Sequence, residues 1–269
     1  MLANGVAETH LLSSPVAEPS IPREARIIGI DCATDATKVG LALCAITDGR
    51  PELREVSIGK TWPAIDEQVA SWVSEPTLLA LDAPLGWPAL LGESLKPHRA
   101  GAGFDQPPNA MFRRTTDDAL AQRLGKRPLD VGSDRIARTA HVALSFLERL
   151  RKRLDAPIPL AWDPSPIEAV TAIEVYPAGT LAARKLPHSG YKGSADSASS
   201  VRRELTTAIA EQLSLDAHSE AEMTRTDHAL DAVLCVCAGL DFLAGDAVPP
   251  EDLSLAKREG WIWVRSLPA

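Results

Sequence analysis

Two apolar, β-rich runs joined by a short polar break constrain the fold of this chain most. Ile27 to Ile30 and Val39 to Ile46 flank Thr34-Asp35-Ala36, the pattern of a β-hairpin. The first run ends in Asp31, where a core-facing strand would carry another hydrophobe. A carboxylate there is costly to bury unless a cation or a hydrogen-bond donor receives it. Two readings stand at this point: Asp31 opens the turn, for which Asp is favoured, or it lines a site.

The elements after the hairpin follow from periodicity and punctuation. Glu52 to Lys60 reads as a third strand, and Pro63 starts a helix carrying Ile65, Val69, Trp72 and Val73 at helical spacing. Thr77-Leu-Leu-Ala-Leu-Asp82 is a strand of the kind buried on both faces, and it too ends in aspartate. From Ala83 to Pro108 prolines and glycines make the chain loop-like, and a loop of that length is usually functional or disordered. Phe112-Arg-Arg-Thr-Thr-Asp117 leads into a short helix. Ser133 is placed to cap a long amphipathic helix through Leu154.

Thr171 to Tyr176 reads as a fifth strand, stopped by Pro177. A helix about Leu181, a mobile Gly/Ser stretch from His188 to Ser200 and a helix from Val201 to Leu213 come next. Asp227 to Leu243 is strongly helical, and Gly260 to Arg265 suits an edge strand. Hairpin-joined strands followed by strands separated by helices predict an α/β fold whose mixed sheet has an antiparallel and a parallel half. Residues 1–23, rich in Ala, Ser, Pro and Glu, are expected to be a flexible tail. Residues 24–269 are expected to form one domain with an insertion at about 84–165.

No apolar run is long enough to cross a bilayer. The N-terminus lacks the basic-then-apolar layout of a secretory signal, so a cytoplasmic location is expected. Cys32, Cys44, Cys235 and Cys237 show no CxxC spacing and are read as buried thiols. Net charge is −8, against a protein that coats nucleic acid non-specifically. Its distribution says more. Between Lys96 and Arg153 there are 13 Lys and Arg against 6 Asp and Glu, and the remainder holds 15 against 30. Such asymmetry suits an anion-facing region on an acidic protein, or a merely solvated helix face.

Asp31 and Asp82 each end a strand, so neighbouring strands would bring their carboxylates together at one sheet edge. Glu174 lies within the fifth strand on the face of Ala172 and Tyr176; it joins the acidic group or makes a structural hydrogen bond or arginine pair. On the last long helix, Leu230, Val233, Leu234 and Cys237 define a buried stripe, with Asp227 and Asp231 at its border one turn apart. Asp227 has a simpler explanation as a first-turn residue behind a Thr226 cap. Asp231 does not, since mid-helix Asp beside a core has poor propensity and a burial cost. Clustered carboxylates are stable around cations, and oxygen-only clusters suit Mg²⁺ or Mn²⁺. Two such ions about 4 Å apart support phosphodiester hydrolysis, with Arg113 and Arg114 of the basic region gripping the phosphate.

The ordered set Ile28-Gly-Ile-Asp31, Ala80-Leu-Asp-Ala-Pro-Leu-Gly-Trp-Pro88, Phe112-Arg-Arg-Thr-Thr-Asp117, Ile173-Glu-Val-Tyr-Pro-Ala178, Asp227-His-Ala-Leu-Asp-Ala232 and Glu259-Gly-Trp-Ile262 resembles the RNase H-like superfamily. Within it, the set is most similar to the DUF429 family of predicted RNase H-like nucleases. The resemblance implies a five-stranded sheet ordered 3-2-1-4-5 with helices on both sides. It implies metal-binding carboxylates at Asp31, Asp82 and Asp231, with Asp227 or His228 as the neighbouring helix ligand. His228 and Asp231 stand as in the His-x-x-Asp arrangement of some RuvC-like enzymes; the alternative is an exposed histidine on the helix's far flank. The first strand lacks the Asp-x-Gly of many relatives.

The leading expectation is therefore a Mg²⁺- or Mn²⁺-dependent nuclease, a hydrolase acting on DNA or RNA. The alternatives are an actin/sugar-kinase-like phosphotransferase and a non-catalytic binder of nucleic acid or a partner. A homo-oligomer stays open.

Overall fold

Near-continuous hydrophobicity in β1 (Glu24–Asp31) suits the centre of a sheet covered on both faces. The computed structural model, which describes residues 21–132, 134–164 and 167–267, places it there. β1 pairs antiparallel with β2 (Gly40–Thr47), which pairs antiparallel with β3 (Arg50–Ile58). On its other edge β1 pairs parallel with β4 (Thr77–Asp82), and β4 with β5 (Val170–Glu174). The sheet is thus mixed and ordered β3-β2-β1-β4-β5. β3 starts earlier than its apolar pattern suggests. Asp48 and Gly49 both take positive φ, 51° and 75°, so a two-residue hairpin turn hands the chain straight to Arg50.

Side chains alternate between two helical layers. Ile28, Ile30, Leu79 and Leu81 face α1 (Trp62–Trp72) and a later long helix, Asp134–Leu154. Thr61 caps α1, accepting a hydrogen bond from the Ala64 N–H at 3.4 Å. The segment after β4 is less irregular than its proline content suggests. It forms α2 (Ala89–Leu95), α3 (Pro108–Phe112) and α4 (Thr115–Leu124). α5 (Asp134–Leu154) buries Ala140, Ala143, Phe146, Leu147 and Leu150, one stripe of a 3.6-residue repeat. Its expected cap, Ser133, lies outside the described residues. Of the expected tail, 1–20 also lie outside them. Residues 21–23 are not loose: Ile21 packs on the core and Arg23 pairs with Asp48 at 2.6 Å.

The opposite face carries α6 (Pro177–Ala183), α7 (Asp196–Ala210), α8 (Ala217–Arg225) and α9 (Asp227–Leu243), followed by α10 (Leu253–Glu259). α7 begins at Asp196, so the end of the expected Gly/Ser stretch is helix rather than loop. α9 is not the one-sided amphipathic helix its stripe suggests. Every residue from Ala229 to Leu243 is buried, because the sheet covers one side and α6, α7 and α8 cover the others. Gly29 and Gly40 let it sit that close. A Cβ on Gly29 would lie 2.0 Å from the Ala232 carbonyl oxygen, and one on Gly40 1.9 Å from that of His228. These contacts set the first turns of α9 against the carboxyl end of β1.

The expected edge strand at Gly260–Arg265 is reduced to isolated bridges. Ile262 bridges Glu174 and Arg265 bridges Ala247, outside the five-stranded ladder. The four cysteines are free thiols, and burial pushes those of Cys32 and Cys235 well above their ordinary range. Among the described residues no helix is long and apolar enough to cross a membrane.

Candidate active site

Period-two alternation decides which acids meet. Ile27 and Gly29 of β1, and Leu78 and Ala80 of β4, face the α9 layer, so Asp31 and Asp82 face it too. They are register partners in adjacent parallel strands, which places both carboxylates side by side at the strands' carboxyl ends. Asp231 arrives from the second turn of α9 with no exposed surface, deeper than the stripe border predicted for it.

Each acid has a different neighbour. The His228 imidazole Nδ1 lies 2.7 Å from Asp31 Oδ2, so His228 is not the exposed flank residue that one reading allowed. Tyr191 donates its hydroxyl to Asp231 Oδ1 at 2.9 Å, and the Lys192 ammonium donates to Asp231 Oδ2. Asp82 has no hydrogen-bond or ion-pair partner among the described residues. Asp227 lies beside the three: its charge acts on Asp31 and His228, and its Oδ2 accepts the Gly193 N–H at 3.3 Å, anchoring that loop.

The electrostatics follow. Burial raises Asp82 well above the usual carboxylate range, and the charges of Asp31 and Asp231 raise it further. Burial also lifts Asp231, to about 7, against the pull of Lys192. Asp31 is raised by burial, partly offset by the bond to His228, and the same bond raises His228. Burial opposes the charge on Lys192, but Asp231 and Asp31 outweigh it and hold the ammonium protonated. Three carboxyl groups thus meet one ammonium and one imidazole, and burial with mutual repulsion disfavours all three being charged at once.

Lys192 and Tyr191 are the residues that sequence reasoning missed. They sit in Ser189-Gly-Tyr-Lys-Gly193, between α6 and α7, with Gly190 and Gly193 at φ 79° and 89°. The Arg202 guanidinium of α7 donates to the carbonyls of Tyr191 at 2.7 Å and Gly193 at 2.8 Å. The loop is therefore clamped from behind while its side chains reach the acids. The signal available in the sequence was two glycines framing an aromatic and a cation.

Three expected site residues belong elsewhere. Glu174 alternates onto the opposite sheet face with Val170 and Ala172. There it accepts hydrogen bonds from Arg114 Nη1 and the Leu85 N–H, both at 2.9 Å. Arg114 does not point to solvent. Its guanidinium is buried and also holds Asp117, with Nη2 to Oδ1 at 3.0 Å, and the Glu259 carbonyl at 3.2 Å. It binds β5, α4 and the C-terminal segment together and has no group left for a phosphate. Arg113 is paired with Asp130 at 3.7 Å.

The donor set suits a hard divalent cation in kind: carboxyl oxygens only, with Asp82 unpartnered among the described residues. As the side chains stand, no three Asp, Glu, His or Cys side chains among the described residues are disposed around one ion. Asp31 is turned to His228, and Asp231 to Tyr191 and Lys192. A shared cation would take over the Asp231 oxygen that Lys192 now holds.

No curated protein matches this chain. A family model described as a protein of unknown function (DUF429) matches residues 29–254. The match spans Asp31, Asp82, Lys192 and Asp231 and stops short of Glu259 to Ile262. With most of its length matched, the chain belongs to the DUF429 family.

Proposed function

We propose that this protein is a Mg²⁺- or Mn²⁺-dependent nuclease of the RNase H-like kind, hydrolysing phosphodiester bonds. The observation that carries the reading is the meeting of Asp31, Asp82 and Asp231 at one sheet edge, with Asp82 unpartnered among the described residues. Such a group gains most from a divalent ion. Asp31, Asp82 and Asp231 would hold the metal, which supplies an activated water and charge stabilisation at the phosphate. His228 fixes the orientation of Asp31. Lys192, with its side chain half exposed at the rim, offers the positive charge for the substrate phosphate that Arg114 cannot.

The phosphotransferase alternative has less support. The turn from Cys32 to Thr37 holds a short 3₁₀ segment capped by Asp35 and contains no glycine whose backbone could cradle a phosphate. The test is incubation of labelled single- and double-stranded DNA and RNA with Mn²⁺. Cleavage is expected that stops with EDTA and is lost in Asp31→Asn. No cleavage of any member, or unchanged cleavage by pure Asp31→Asn protein, overturns the proposal. Metal-independent binding with a steep salt dependence and no turnover would instead identify a non-catalytic binder.

A further inference from the structure

A cavity of about 240 Å³ opens beside the carboxylates, in the crevice beyond the carboxyl ends of β4 and β5. Asp82 lines the cavity and belongs to the acid group, so the two share a wall. Besides Asp82, the paired Arg114 and Glu174 reach the cavity wall, and most of the remaining lining is apolar. Pro84 and Tyr176 line it together with Leu129, Ile136 and Thr139 from the basic insertion. Leu129 is 70% exposed, the most exposed large hydrophobe among the described residues. An apolar side chain held in water at the lip of a cleft gains by being covered.

We infer that this cavity takes one unpaired nucleobase of the substrate strand, next to the phosphate that is cut. The inference rests on the nuclease reading and adds a substrate class to it: single-stranded or locally unpaired nucleic acid. The space is below the roughly 300–1,000 Å³ of sites for drug-sized ligands and admits one heterocycle, not a base pair within a stack. Tyr176 provides an aromatic surface of the kind on which unpaired bases stack without sequence preference. Charge complements shape. Lys126 and Arg135, close in sequence to the lip residues Leu129 and Ile136, have no ion-pair partner among the described residues, whereas neighbouring Arg127 and Arg138 pair with Asp118 and Asp134. Two cations without an ion-pair partner among the described residues, on the segment that supplies Leu129 and Ile136, suit a strand's backbone as the slot suits its base.

The test compares binding, in EDTA, of a labelled single strand, its fully paired duplex and an abasic strand of equal length. The proteins are wild type, Leu129→Glu and Tyr176→Leu, all full length; Leu129 is exposed, so its substitution leaves folding intact. Wild type is expected to prefer the base-bearing single strand by about tenfold, and both variants to lose that preference. Equal binding of abasic and base-bearing strands, or a preference untouched in Leu129→Glu, overturns the inference. Parallel Mn²⁺ cleavage assays separate the two claims. Cleavage without base preference sinks the cavity assignment alone, and base-dependent binding without cleavage sinks the nuclease reading alone.

Discussion

Asp82→Asn is expected to lower metal-dependent cleavage by about a hundredfold or more and, in the same preparation, to raise the melting temperature. The two effects share one cause. Asp82 has no partner among the described residues, and burial together with Asp31 and Asp231 disfavours its charge. An asparagine removes that repulsion while keeping shape, so the metal-free fold gains. The same exchange removes a ligand oxygen. Residues that cost stability and are kept for activity are the expected form of a functional site. Thermal unfolding in EDTA and cleavage in Mn²⁺ read the two sides. A variant that is less stable yet fully active would show Asp82 to be structural.

Arg114→Met is expected to do the reverse. Removing the guanidinium leaves Glu174 and Asp117 buried without their partner, a loss of about 3–5 kcal/mol measurable by urea denaturation. Because one cation serves both acids, the loss in Arg114→Met/Glu174→Gln should fall short of the sum of the single losses. Were Arg114 a phosphate contact, Arg114→Met would keep its stability and raise KM instead. Burial of the side chain to 1% exposure argues for the structural outcome.

The parts of this fold that repeat were legible in the sequence, and the parts that depend on long-range packing were not. The hairpin, the β4 strand and the extent of α9 follow from local patterning, and Thr77–Asp82 and Asp227–Leu243 are found where the periodicity puts them. Asp31 and Asp82 were visible as polar ends of apolar strands. Glu174 could have been set aside, since its face was already that of Ala172, and Ala172 packs in the α1–α5 layer. Arg114 could not, because only the fold shows that α4 brings it onto β5. Lys192 was hidden for a similar reason. A glycine-flanked loop reads as mobile unless Arg202 of the next helix and Asp227, 34 residues beyond Gly193, are known to grip it.

Asp31, Asp82 and Asp231 are expected to share a divalent cation. Titration of Mn²⁺ into the metal-free protein, followed by calorimetry and electron paramagnetic resonance, measures it without a substrate. Saturable binding is predicted for the wild type, weakened about tenfold or more by each of Asp31→Asn, Asp82→Asn and Asp231→Asn. Absence of saturable binding in the wild type, or uptake undiminished in the triple variant, would contradict it.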